Sequence, residues 1–349
     1  ALTALTSGAG NTAVGYTTGQ SITTGSNNTS LGYGSMGEAT ANAITGEDNT
    51  CVGFKAGFEL SGSASNNTLI GALAGWNLEG VSGNTAIGRY ALQTSTAAVD
   101  CVAIGRLAMN AGSATQAGTV AIGTSALTAL TSGAGNTAVG YLAGDALQGG
   151  SNNTLMGYTA GGALTGSANV MIGYDAGGTM VGAEGNVVIG QNACASAGEI
   201  DAGVYIGREA GQRLGHTDTT QNVAIGKQAL RGGNATAGTN APTDTTCVGY
   251  QAGDVIQAGT NNTCIGSGTD PSAHGGINQT VIGYATTGQA DNSVTLGNAD
   301  VTKVYMASDR LAKVLLGNIE FPATQSTSTN ANTLDDYEEG TWTPTLTNM

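Results

Sequence analysis

Across 349 residues the chain carries 58 glycines, 10% charged residues and 5% aromatics, with a formal net charge of −14. So much glycine and so few large side chains exclude a thick compact core, while an apolar content of 40% excludes a disordered chain. Ten Lys and Arg in the whole chain argue against a nucleic-acid-binding face, and no stretch approaches the roughly 20 apolar residues of a membrane-spanning helix.

The chain opens on Ala-Leu-Thr-Ala-Leu-Thr-Ser-Gly, and Ala126 to Tyr141 repeats residues 1–16 without a change. Residue 1 is therefore expected to fall partway through a repeat, with the natural protein extending further upstream. From Thr12 onwards one phrase returns seventeen times: Thr or Val, a variable residue, an aliphatic residue, then glycine. It reads Thr12-Ala13-Val14-Gly15 at first and Val294-Thr295-Leu296-Gly297 at last. The commonest spacing between anchor glycines is 17 residues, as from Gly15 to Gly32 and from Gly71 to Gly88. A fixed period of this length is the signature of a stacked repeat.

Within one repeat the residues one and three before the anchor glycine point to the same side of a strand, because side chains alternate. The residue between them (Ala13, Ser30, Cys51, Leu69, Ala86, Val188) is mostly small or apolar. Both faces are thus compatible with burial, one taking bulkier residues than the other: one can close the roll, and the other is expected to need partner chains. Four before glycine stands Asn in eleven copies, among them Asn11, Asn28, Asn84, Asn136 and Asn222. These are expected to turn the chain into the strand and to stack as a ladder of amides. Alanine three after glycine (Ala56, Ala74, Ala143) and an apolar residue seven after it (Leu60, Leu78, Leu147) predict a second short strand and a return loop. Two strands per repeat make a β-solenoid or β-roll, all-β and elongated, of about seventeen coils. At about 4.8 Å per coil it spans roughly 80 Å. Longer intervals, Gly32 to Gly53, Gly207 to Gly226 and Gly226 to Gly249, put outward loops at residues 37–48, 212–220 and 231–245. No proline precedes Pro242, as a hydrogen-bonded ladder requires.

The chemistry of catalysis is sparse. His216 and His274 are the two histidines, both in irregular segments, and no nucleophile elbow surrounds a serine. Acidic residues such as Glu38, Glu47, Asp48, Glu79, Asp100, Asp145 and Asp175 scatter through the repeat instead of recurring at one position, which argues against a metal array. Asp335, Asp336, Glu338 and Glu339 read as a solvated face. Five cysteines without metal-type clustering read as buried small apolar residues, with Cys247 and Cys264 stacked one repeat apart. The expectation is a protein that is not an enzyme, with no catalytic, cofactor-binding or metal-binding residues and no cofactor. Aligned threonines (Thr12, Thr29, Thr50, Thr68, Thr85) raise an ice-binding solenoid as a third reading. Val stands at seven of the seventeen equivalent positions, and core burial is expected to explain that exchange.

The phrases Asn222 to Gly226 (Asn-Val-Ala-Ile-Gly), Cys101 to Gly105 and Asn292 to Gly297 resemble the head repeat of trimeric autotransporter adhesins. That resemblance covers about residues 11–297 and implies a left-handed parallel β-roll and a homotrimer, although the family's usual repeat is shorter than 17. Val301 to Ala307 follows where such heads narrow into a neck. Asn332 to Thr345 (Asn-Thr-Leu-Asp-Asp-Tyr-Glu-Glu-Gly-Thr-Trp-Thr-Pro-Thr) resembles a segment of bacteriophage tail fibres that leads into a C-terminal β-rich domain. The resulting organisation is a β-roll shaft over 1–297, a neck over 298–319 and, over 320–349, a linker into a domain beyond Met349. The resemblance implies a structural fibre of a virion tail that projects host-attachment surfaces. Its implied partners are two further copies of itself, other tail or baseplate proteins and a host surface glycan or protein. Neither nucleic acid nor membrane insertion is expected. The head of an adhesin on a bacterial cell surface is the alternative.

Overall fold

The computed structural model describes residues 1–37, 43–94, 97–111, 117–215, 219–232 and 242–305. The chain divides into two units, Ala1–Val301 and Thr302–Met349. The second is described only as far as Tyr305, so most of the expected neck and all of the linker lie outside the described residues. So do residues 38–42, 216–218 and 233–241, which take in much of the three expected loops and His216.

Each copy of the phrase forms a three-residue strand, from Thr12–Val14 and Thr29–Leu31 to Thr280–Ile282 and Val294–Leu296. Seventeen of them make one sheet in which every strand pairs in parallel with its neighbours in sequence. Register is conserved position by position: Thr12 faces Thr29, Ala13 faces Ser30 and Val14 faces Leu31. The 23-residue interval between Gly226 and Gly249 leaves it intact, with Val223 opposite Thr246 and Ile225 opposite Val248. Seventeen strands bound sixteen intervals, and the last, from Gly283 to Gly297, falls short of a full turn. The unit is a parallel β-solenoid of about 15 turns, fewer than the coils counted from the phrase alone.

Two backbone devices delimit each strand. Five before every anchor glycine the chain is left-handed, from Gly10 (φ 70°) and Asn27 (φ 57°) to Asn278 (φ 51°) and Asn292 (φ 56°). Gly, Asn and Asp dominate that position because they enter this region at least cost. The left-handed turn therefore sits one residue earlier than the sequence pattern suggested. At the strand exit the anchor glycine itself has a positive φ, 137° at Gly53, and an added Cβ would stand 2.7 Å from the Gly71 carbonyl oxygen. Close stacking of turn on turn thus requires glycine at this point.

The asparagines form the expected ladder. Asn153 Nδ2 donates to Asn136 Oδ1 at 3.1 Å and to the Gly166 carbonyl at 3.0 Å. Its Oδ1 accepts from the backbone N–H of Asn169 at 3.0 Å and from Asn169 Nδ2 at 3.1 Å. The same bonds recur from Asn28 through Asn49 and Asn67 to Asn84. Their side chains are buried, which such bonding makes tolerable.

The core differs from the sequence expectation in two respects. The middle residue of each strand points inward and, in all but the two terminal strands, is buried, as at Cys51, Leu69, Ala86, Leu155, Val188 and Cys247, while its two flanking residues face out. The turn is too narrow for two bulky inward columns, since the buried alanines (Ala56, Ala74, Ala143) and leucines (Leu60, Leu78, Leu147) already fill it from the other walls. The second difference is that the expected second strand is not a continuous ladder. Its remnants are isolated bridges such as Ile22 to Ile44, Ser61 to Glu79 and Thr243 to Thr260, and the two-residue pair Ile200–Asp201 with Thr219–Thr220. After the anchor glycine the chain runs through turns, left-handed at Lys55 (φ 51°) and Gly57 (φ 58°), and at Leu73 (φ 62°) and Gly75 (φ 54°). Such closely spaced left-handed residues cannot sustain a strand.

Candidate functional site

The feature that the repeat builds most consistently is the outer face of the seventeen-stranded sheet. Alternation places three columns on it: Thr or Val, then Val, Ile, Leu or Met, then the residue after the anchor glycine. The aliphatic column is partly exposed along its length, Leu31 by 45% and Ile265 by 40%, with Val52, Ile87, Ile104 and Ile122 more covered. Thr50, Thr68, Val102 and Val120 in the first column are likewise partly buried and outward-facing. This corrects the explanation of the Thr/Val exchange by core burial: the exchange takes place on the surface.

Aromatic residues form the third column in two runs. Tyr16 stacks on Tyr33 with centroids 5.4 Å apart, and Tyr33 on Phe54 at 5.6 Å. Tyr141, Tyr158 and Tyr174 stack at 5.2 Å per step. The spacing follows from the turn-to-turn rise, so each ring covers its neighbour and shows solvent an edge and, at the tyrosines, a hydroxyl. Elsewhere the column is mixed, from Ala72, Thr124 and Ser267 to Arg89 and Tyr284, with Lys227 over the Tyr250 ring at 5.4 Å and Arg208 paired with Glu209 at 2.9 Å.

Titratable groups gather at one place, near the C-terminal end of the stack. Arg231 Nη2 lies 3.9 Å from Asp254 Oδ2. Burial first, and then the Asp254 carboxylate, push the Asp270 carboxyl up to about 6, against the pull of the nearby His274. Among the described residues no three His, Cys, Asp or Glu side chains are grouped so as to hold a metal ion. All five cysteines are buried, as expected. Cys247 and Cys264 are register partners on adjacent strands, which bears out their stacking. Burial drives the Cys51 and Cys194 thiols upward, leaving them poor nucleophiles.

One core substitution escaped the sequence reading. Tyr205 is the largest fully buried side chain and occupies an inward position filled elsewhere by smaller side chains, mostly Ala, Cys, Leu or Val. Gly203, standing where other turns carry Asn, makes the room: an added Cβ there would collide with the Tyr205 ring. The signal was present, as the only Gly in the asparagine column lies two residues before the only Tyr in the inward column.

No protein-family model matches the chain, and no curated protein matches it. Among the described residues no helix is long and apolar enough to cross a membrane.

Proposed function

We propose that the solenoid is the shaft of a homotrimeric fibre of a virion tail, packed through its outer sheet faces and carrying surfaces for host attachment. The observation that supports this reading most is the uniform, partly exposed aliphatic column that runs the length of the sheet. A face three residues wide and about 80 Å long presents on the order of 1,000 Å². That matches one partner's share of a specific interface. Uniformity without full burial is what a partner surface demands: seventeen outward positions keep β-branched or aliphatic side chains although the single chain leaves all of them partly in water. Along such a fibre, repeated surfaces engage many receptors at once, and avidity replaces single-site affinity. The head of a bacterial surface adhesin uses the same architecture and is separated from the fibre by location, on a cell surface instead of a virion.

The test is the mass of the purified protein in native conditions together with electron micrographs. Three-chain rods, and competition by the protein with virion adsorption to host cells, are the expected results. A compact monomer overturns the fibre and the adhesin together. The outward threonines favour one further reading, an ice-binding face, in which regularly spaced hydroxyls and methyls order water. Thermal hysteresis of the purified protein would support it, and its absence would remove it.

A further inference from the structure

Every Phe and Trp among the described residues lies in one patch on two adjacent turns: Phe54, Phe58 and Trp76. Phe58 and Trp76 lie 4.7 Å apart between centroids, tilted by 38°. The Lys55 ammonium stands 4.2 Å from the Phe58 centroid, 5.2 Å from Trp76 and 5.9 Å from Phe54. Gly34 on the preceding turn lets this group settle: a Cβ there would come within 3.2 Å of Lys55 Cγ and 3.6 Å of the Phe58 ring.

The fold does not call for aromatics here. Phe58 and Trp76 are five residues after their anchor glycines, where other turns carry Gln93, Asn110, Thr128, Asp145 and Gln212. The position is half-buried in both cases, so the rings are not core residues. Lys55 is as unusual. In a chain with a net charge of −14 it has no carboxylate in ion-pairing range among the described residues, and its ammonium rests on rings alone. Rings hold a cation weakly at an exposed site and leave its N–H groups free for an anion.

We propose that Phe54, Lys55, Phe58 and Trp76 form a subsite for an anionic saccharide, the rings taking the C–H face of a pyranose and Lys55 its carboxylate. The proposal rests on the attachment role put forward above and gives it a chemical class of ligand. Two turns of the solenoid cover about 10 Å, the size of one or two sugar rings and far too small for a specific protein interface. The overall negative charge repels a long polyanion, so the fitting ligand is a short unit with one acidic group placed at Lys55.

The experiment uses Trp76 as its own reporter. The protein has two Trp, and Trp342→Phe leaves Trp76 alone. A glucuronate disaccharide, the matching glucose disaccharide and acetate are titrated separately against its emission. The glucuronate disaccharide is expected to change the emission saturably, the glucose disaccharide more weakly and acetate not at all. Lys55→Gln should weaken glucuronate binding about tenfold and leave glucose binding unchanged. Phe58→Gln should weaken both sugars equally while circular dichroism and oligomer mass stay as before. Emission that ignores both sugars, an equal response to acetate, or glucuronate binding untouched by Lys55→Gln would overturn the subsite. So would a fall in oligomer mass on Phe58→Gln, which would assign the patch to a contact between chains. Mass is read on the same samples, so a trimer blind to sugar refutes the subsite alone. A monomer that binds the sugar refutes the fibre alone.

Discussion

The inside of the solenoid and its outer sheet face use apolar side chains under opposite rules. Inside, the middle column varies freely from Ala86 and Cys51 to Leu155, Met171 and Tyr205, all fully buried. Outside, the aliphatic column hardly varies although much of it is exposed. A closed interior tolerates change because a neighbour within the same chain compensates, as Gly203 does for Tyr205. On the outer face only the residues of the adjacent turns, in the same column, are at hand to compensate. Its uniformity is the feature that the proposed packing of chains accounts for.

Substitutions on the two sides should separate the rules, beginning with the interior. Tyr205→Ala would leave a cavity beside Gly203 and Gly211 and should cost about 3–5 kcal/mol. Hydrogen exchange should show the loss concentrated in the flanking strands Val187–Ile189 and Val223–Ile225, because each turn leans only on its neighbours. Asn153→Ala removes the bonds to Asn136, Gly166 and Asn169 and strands two buried backbone groups, with an expected loss of about 2–3 kcal/mol in urea unfolding.

The acidic cluster adds a pH test. Folding favours the protonated form of Asp270, so stability is highest below the ordinary value of 3.8 and falls as pH rises to about 6, beyond which the loss is complete. After allowance for partial exposure the loss is about 1–2 kcal/mol. Asp254, raised by burial against the opposing pull of Arg231, adds a slope of the same sign. Thermal midpoints between pH 4 and 7 should show the decline, and Asp270→Asn should flatten most of it. A smaller gain is expected where the ladder is interrupted. Thr119 takes an asparagine position and its buried hydroxyl has no hydrogen-bond partner. Thr119→Asn would offer its amide oxygen to the Asn136 N–H, as Asn136 does for Asn153, and should stabilise by about 1 kcal/mol.

Much of this architecture is legible in the sequence. The spacing of anchor glycines gives the strands and their register, and the asparagine column gives the amide ladder. The direction of the strand was harder to read, because a period-two pattern that is apolar on both faces does not say which face is inside. Its resolving signal is the size spread of the middle residue set against the uniformity of the flanking ones. The second strand was misjudged because Ala56 and Leu60 both point inward, while the residue between them that decides the backbone is Gly57. A glycine recurs at that place in Gly75, Gly144, Gly161 and Gly177, each with a positive φ, and it marks a turn. The aromatic patch was missed for a different reason: Phe58 and Trp76 are eighteen residues apart, and only the stacking of turns brings them and Lys55 together.

The outer face supplies the most direct measurement. Ile104→Asn with Ile122→Asn places two amides in the middle of the aliphatic column, on adjacent strands and away from the core. Both residues are outward-facing and partly covered by their strand neighbours, so within one chain the cost should be about 1 kcal/mol each. Native mass should fall from three times the 34.2 kDa chain to a single chain, with circular dichroism unchanged. A trimer that survives both substitutions, or an unsubstituted protein that is already a stable monomer, would contradict the claim that partner chains cover this face.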